Sequence, residues 1–110
     1  MPLNVTITDR DGSVPEKILE RTEAQVSKLD RFQSRATHAE VVWSEERHSK
    51  KVEILVFVDD AEPIKVRGEA EHHRPALTEA IERAQRMLRQ QREKRRDHQA
   101  PPLSEGTPES

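Results

Sequence analysis

The segment from 37 to 71, THAEVVWSEERHSKKVEILVFVDDAEPIKVRGEAE, limits the fold more than any other part of the chain. Near its centre Val52, Ile54, Val56 and Val58 recur at every second position. A period of two places them on one face of a strand, with Leu55 and Phe57 on the other. The segment predicts three strands, at about 37–45, 50–58 and 63–71. The connections EERHS and DDAEP are short, so the three form an antiparallel meander. Its row of valines then needs a cover.

The flanks supply one. LNVTIT alternates Leu3, Val5 and Ile7 with polar residues, a further half-buried strand. SVPE then predicts a helix start, with Ser13 as N-cap, Pro15 in the first turn and Glu16 completing a capping box. This helix is expected to run to about Phe32. HHRPALTEA opens a second helix, expected to run to about 97. The order is therefore β-α-β-β-β-α. A right-handed crossover makes the first strand parallel to the second. The fold class is α+β: a two-layer sandwich, with both helices on one face of a four-stranded sheet. Residues 1–98 form one domain. QAPPLSEGTPES, residues 99–110, is predicted to be a disordered tail.

Composition fits a thin core. Of the 110 residues 32% are hydrophobic and 36% charged, leaner than an average domain. Without cysteine there is neither a disulfide framework nor a thiolate metal site. No apolar run is long enough to span a bilayer and no signal peptide opens the chain, so the expectation is a cytoplasmic protein with no membrane partner.

The net charge of −2 hides a segregation of sign. On the first helix Val14, Ile18, Leu19, Val26, Leu29 and Phe32 share an arc of about 140°. Lys17, Arg21, Lys28 and Arg31, joined by Arg35 if the helix reaches it, form a second stripe, and Glu16, Glu20, Glu23 and Asp30 a third. A solvated helix normally intersperses its signs. The second helix carries RAQRMLRQQREKRR, residues 83–96, with seven basic residues and one acid. Arg83, Arg86, Arg89, Arg92 and Arg95 recur every three residues, with Lys94 between the last two. A repeat of three lags the helix by about 60° per step, so this row winds around it. Leu77, Ala80, Ile81, Ala84, Met87 and Leu88 make the core line, and Gln91 stands where the next core residue belongs. The helix is expected to leave the sheet after Leu88. A self-repelling extension of this kind suits a cleft walled by phosphates. Solvation and the helix dipole are the plainer account of such a charge run.

Catalytic and metal chemistry find no support. His72 and His73 are adjacent and lack a spaced partner, no nucleophile elbow or P-loop occurs, and three glycines build no phosphate-cradling loop. The chain is read as a non-enzyme with no cofactor and no small-molecule substrate. Aromatic residues are Phe32, Trp43 and Phe57 alone, so contacts to RNA would go mainly to phosphate and shape. Val42, Leu55 and Phe57 on the outer sheet face offer a small patch for weak self-association or a protein partner.

The chain resembles the ribosome hibernation-promoting factors, also called ribosome-associated inhibitors or sigma-54 modulation proteins, in their short form. The resemblance runs from about Leu3 to His98. It is carried by VSKLDRF, by KVEILVFV with IKVRGEAE, and by ALTEAIERAQRMLRQQREK. It implies binding to the small ribosomal subunit during stationary phase or stress, in the mRNA and tRNA channel, through basic residues of both helices on ribosomal RNA. Lys28, Arg31, Arg83, Arg86, Arg92 and Lys94 match basic positions of the family. Gln25 and Gln90 replace frequent Arg or Lys, and EHHRPAL replaces a stretch that usually holds Asp and Tyr. The second domain of longer relatives is expected to be absent.

The expected function is thus translation inhibition by binding ribosomal RNA of the small subunit. The expected contacts are Lys17, Arg21, Lys28, Arg31, Arg83, Arg86, Arg89, Arg92, Lys94 and Arg95. Two alternatives stand beside it: a general double-stranded-RNA binder, and a protein-binding regulator that uses the outer sheet face.

Overall fold

The computed structural model describes residues 3–99. Strand β1 is Asn4–Asp9, helix α1 Glu16–Val26, followed by a 3-10 turn over Ser27–Arg31. Strands β2 (Ala36–Glu46), β3 (Ser49–Val58) and β4 (Ile64–Ala70) precede helix α2 (His73–Gln99). The sheet order is β1-β2-β3-β4, with β1 parallel to β2 and the other neighbours antiparallel. The expected α+β sandwich is the fold that forms. The residues of the expected tail beyond Gln99 lie outside the described residues.

Period-two patterning decides which face of the sheet is buried. Ala39, Val41 and Trp43 line up with Val52, Ile54, Val56 and Val58 and with Ile64 and Val66, and all are buried. Trp43 touches both helices. Its Nε1 donates to Thr22 Oγ1 of α1 at 3.2 Å, and its ring lies edge-on to His73 of α2 with centroids 5.2 Å apart. Both helices therefore cover the same face.

Helix α2 rests directly on strand backbone. A Cβ at Gly68 would run into the Ala76 carbonyl oxygen and lie 2.9 Å from the Ala80 nitrogen. Only glycine permits this approach. Ala76, Ala80 and Ala84 keep the distance short along the helix, and Leu77, Ile81 and Leu88 fill the space beside them.

Three local expectations need correction. Ser13 does not cap α1: Pro15 occupies the cap position and no side chain bonds there. The Asp9 carboxylate instead closes the preceding loop, accepting from Gly12 N–H and Val14 N–H at 3.0 Å each, while Ser13 Oγ donates to Glu45. The first helix is not α-helical to Phe32 but tightens at Ser27. The Ser27 carbonyl accepts from Leu3 N–H of the β1 end, which diverts it from the α ladder. Finally, α2 is held for one turn beyond Leu88. Gln91 Nε2 donates to the Glu62 carbonyl at 2.8 Å, and its Oε1 accepts from the buried Gln33 at 3.2 Å. A glutamine at the next core position clasps the sheet corner with polar bonds, so the helix is free of the sheet only after Gln91.

Candidate nucleic-acid interface

Chain direction sets the two helices parallel. α1 runs back from the end of β1, which lies beside Trp43, and α2 starts from the end of β4, beside Lys50. Both helices thus begin at the β2–β3 hairpin end and finish at the β3–β4 end. A seam runs between them. At its start Lys17, Arg21 and Lys28 of the first helix meet Arg74 of α2. Farther along, Gln25, Lys28, Arg31 and Phe32 face Thr78, Glu82 and Gln85. Arg89 closes this stretch, its guanidinium 5.5 Å from the centroid of the Phe32 ring. From Arg74 to Arg92 the α2 wall extends about 27 Å.

The fold shows where the winding arginine row leads. Arg83 lies on the β4 side, where Nη1 donates to the Arg67 carbonyl at 2.6 Å and Nη2 pairs with Glu79 at 3.0 Å. Lys94 lies on that side too, in a hollow with Glu62, Pro63 and Met87. Each step of three residues moves the next arginine about 60° toward α1. Arg86 therefore stands on the crest, and Arg89 and Arg92 come down on the seam side. The expected set divides: Lys17, Arg21, Lys28, Arg31, Arg89 and Arg92 lie along the seam, Arg86 on the crest, and Arg83 and Lys94 away from it. The side chain of Arg95 lies outside the described residues.

The seam cations are exposed and, among the described residues, make no ion pair. Lys50, Lys51, Arg35 and Arg83, in contrast, are each paired with a carboxylate. Like the seam cations, Lys65 and Arg67 of β4 are without an ion pair among the described residues, and Glu20 and Glu82 are the acids beside the seam cations. A cation committed to a carboxylate has less to offer an incoming anion than the exposed, unpaired ones of the seam.

Arg74 belongs to the seam and was not among the expected contacts, although HHRPALTEA was expected to open this helix. The clue was present: 74, 78, 81 and 85 follow the spacing of one helix face. His73 is the first residue of α2 and packs on Trp43, so burial, and after it the Lys50 charge, pushes its imidazole below the ordinary histidine value. Among the described residues no three His, Asp or Glu side chains group as metal ligands. No described helix is long and apolar enough to cross a membrane.

Residues 5–96 match the sequence profile of the family described as sigma 54 modulation protein / S30EA ribosomal protein. The chain belongs to this family. S30EA-type proteins are ribosome-associated factors and not a known enzyme class. Among solved structures the fold is similar to the Protein Y N-terminal domain of Thermus thermophilus, with a TM-score of 0.69 and 23% identity, over 82% of this chain and 98% of that one. It is also similar to a ribosomal subunit interface protein from Coxiella burnetii, with a TM-score of 0.61 and 15% identity, over 86% of this chain and 99% of that one. No curated protein sequence gives a significant match.

Proposed function

We propose that this S30EA-family protein silences ribosomes by seating its inter-helix seam on ribosomal RNA of the small subunit, in the channel that mRNA and tRNA use. The observation that carries the reading is the row of unpaired cations from Lys17, Arg21 and Arg74 through Lys28 and Arg31 to Arg89 and Arg92. Two parallel helices present these charges along one line, as a ridged phosphate-lined cleft requires and a single groove of a duplex does not. The family supports a ribosomal partner, as does the fold shared with a ribosomal subunit interface protein. A ribosomal partner implies the cytoplasm. Stationary phase or stress is the setting in which silencing would serve the cell.

Occupying the channel excludes mRNA and tRNA sterically, so no reaction is needed. Affinity would come mainly from counterion release and fall steeply with salt. The deciding experiment is sedimentation of purified protein with separated ribosomal subunits in a sucrose gradient, beside a plain RNA duplex at matched salt. Co-sedimentation with small subunits, tight against the duplex and competed by mRNA, is expected. Equal affinity for the duplex would replace this reading with a general RNA binder.

A further inference from the structure

The two edges of the sheet, β1 and β4, are finished differently. On β4 the Arg67 carbonyl accepts from Arg83 Nη1, and Glu69 N–H donates to Glu79 Oε1 at 2.9 Å. Arg83 and Glu79 also pair with each other. These side chains occupy two bonds that an added strand would use, which closes the middle of that edge.

Nothing closes β1. Arg10 N–H donates to the Trp43 carbonyl, with Asp9 in register with Trp43. That pattern turns the backbone groups of the even residues toward β2 and those of Val5, Ile7 and Asp9 outward. The Asp9 carbonyl is taken by Gly12 N–H. The N–H groups of Val5, Ile7 and Asp9 and the carbonyls of Val5 and Ile7 have no protein partner among the described residues. The strand reads NVTITD, β-branched at its centre, with no proline, glycine, lysine or bulge to discourage pairing.

Charge names the occupant. Lys17 and Arg21 turn toward α2, so Glu16 and Glu23, roughly 140° around α1 from them, turn to the β1 flank. Both are exposed and neither is ion-paired among the described residues. Alternate side chains of a strand added to β1 would rise toward these carboxylates. A second copy would bring its own acidic row against them, which disfavours self-pairing.

We infer that the β1 edge takes up an extended, Lys/Arg-rich peptide segment by strand addition. Main-chain bonds to Val5, Ile7 and Asp9 supply the affinity, and Glu16 and Glu23 select basic side chains. This flank lies across α1 from the seam, so a basic protein segment and a polyanion can be held together. The inference goes beyond the ribosomal reading and does not need it.

The test uses the full chain and a Lys-Thr repeat peptide of about ten residues, without ribosomes. Amide spectra are expected to show saturable shifts and slowed exchange at Val5, Ile7 and Asp9. A Glu-Thr peptide should not bind, nor should the Lys-Thr peptide methylated on alternate backbone nitrogens. The double variant Glu16→Gln, Glu23→Lys, with its fold checked by circular dichroism, should lose about tenfold in affinity. Shifts confined to the helix carboxylates, binding that survives N-methylation, equal binding of the acidic peptide, or a concentration-dependent dimer through β1 would each overturn the inference.

Discussion

Trp43 and Thr22 satisfy each other in the core. The indole N–H donates to the threonine Oγ1, whose own hydroxyl donates to the Ile18 carbonyl at 2.7 Å, and both side chains are fully buried. This chain of two bonds joins β2 to α1 within the core.

Replacing Thr22 by valine keeps the shape and removes the acceptor. The Trp43 N–H would then be buried without a partner, a loss of about 1–3 kcal/mol. A chain of this size should melt roughly 4–8 °C lower for each kcal/mol. Thr22→Ser keeps the bond and should fall less. Thermal unfolding followed by circular dichroism checks the order; equal melts for Thr22→Val and wild type would show that the bond contributes nothing.

Gly68 gives a second stability test. An alanine there places its Cβ against backbone atoms of Ala76 and Ala80, which no side-chain rotation relieves. Overpacking of this kind costs about 1–3 kcal/mol or more. Urea unfolding of Gly68→Ala is expected to show a lower midpoint at an unchanged slope. An unchanged midpoint would mean that α2 lifts off β4 freely.

His73 makes stability depend on pH. Burial against Trp43 lowers its folded pKa below the unfolded value near 6.5. The unfolded chain therefore binds the proton more readily, and stability declines as pH falls from about 6.5 toward the folded pKa. It is flat above that window. The lowered Glu45 pKa acts separately and in more acidic solution, where hydrogen bonds from Lys50 and Ser13 are lost on protonation. Unfolding of wild type and His73→Gln should be compared at pH 8 and pH 5.5. The variant should show the smaller difference; an equal one would clear His73 of the effect.

Strand alternation and the apolar arcs of both helices made the layer order legible, because burial of one sheet face and one helix stripe is a property of periodicity. The inner rows of β2, β3 and β4 fell where a period of two puts them. Thr22 was not read as core, although it stands between Ile18 and Val26 at helix spacing, because its hydroxyl is satisfied by Ile18 and Trp43, and Trp43 is distant in sequence. Gln91 was read as the end of the docked helix for the same reason: its partners, Gln33 and Glu62, come together only in the fold. The ten expected cations were visible as charges, but their division between seam and β4 edge was not. It depends on where the Arg67 carbonyl and the Phe32 ring lie beside α2.

That division supplies the last prediction. Arg31, Arg89 and Arg92 line or overhang the seam, whereas Arg83 is committed to the β4 edge. A triple change of the first three to glutamine preserves helix propensity and exposes no buried group. Its stability should fall by no more than about 0.5–1 kcal/mol, the scale of the lost Arg89 contact with Phe32. Its binding to small subunits should weaken, and the slope of log affinity against log salt should flatten by roughly 0.7–0.9 for each phosphate contact removed. Arg83→Gln should do the reverse: a lower melt, because Glu79 and the Arg67 carbonyl lose their partner, and an unchanged salt slope. Filter binding of labelled protein to small subunits across a salt series reads both variants. If Arg83→Gln flattens the slope as much as a seam change does, the winding row acts as one electrostatic surface and the edge bond does not withdraw Arg83 from it.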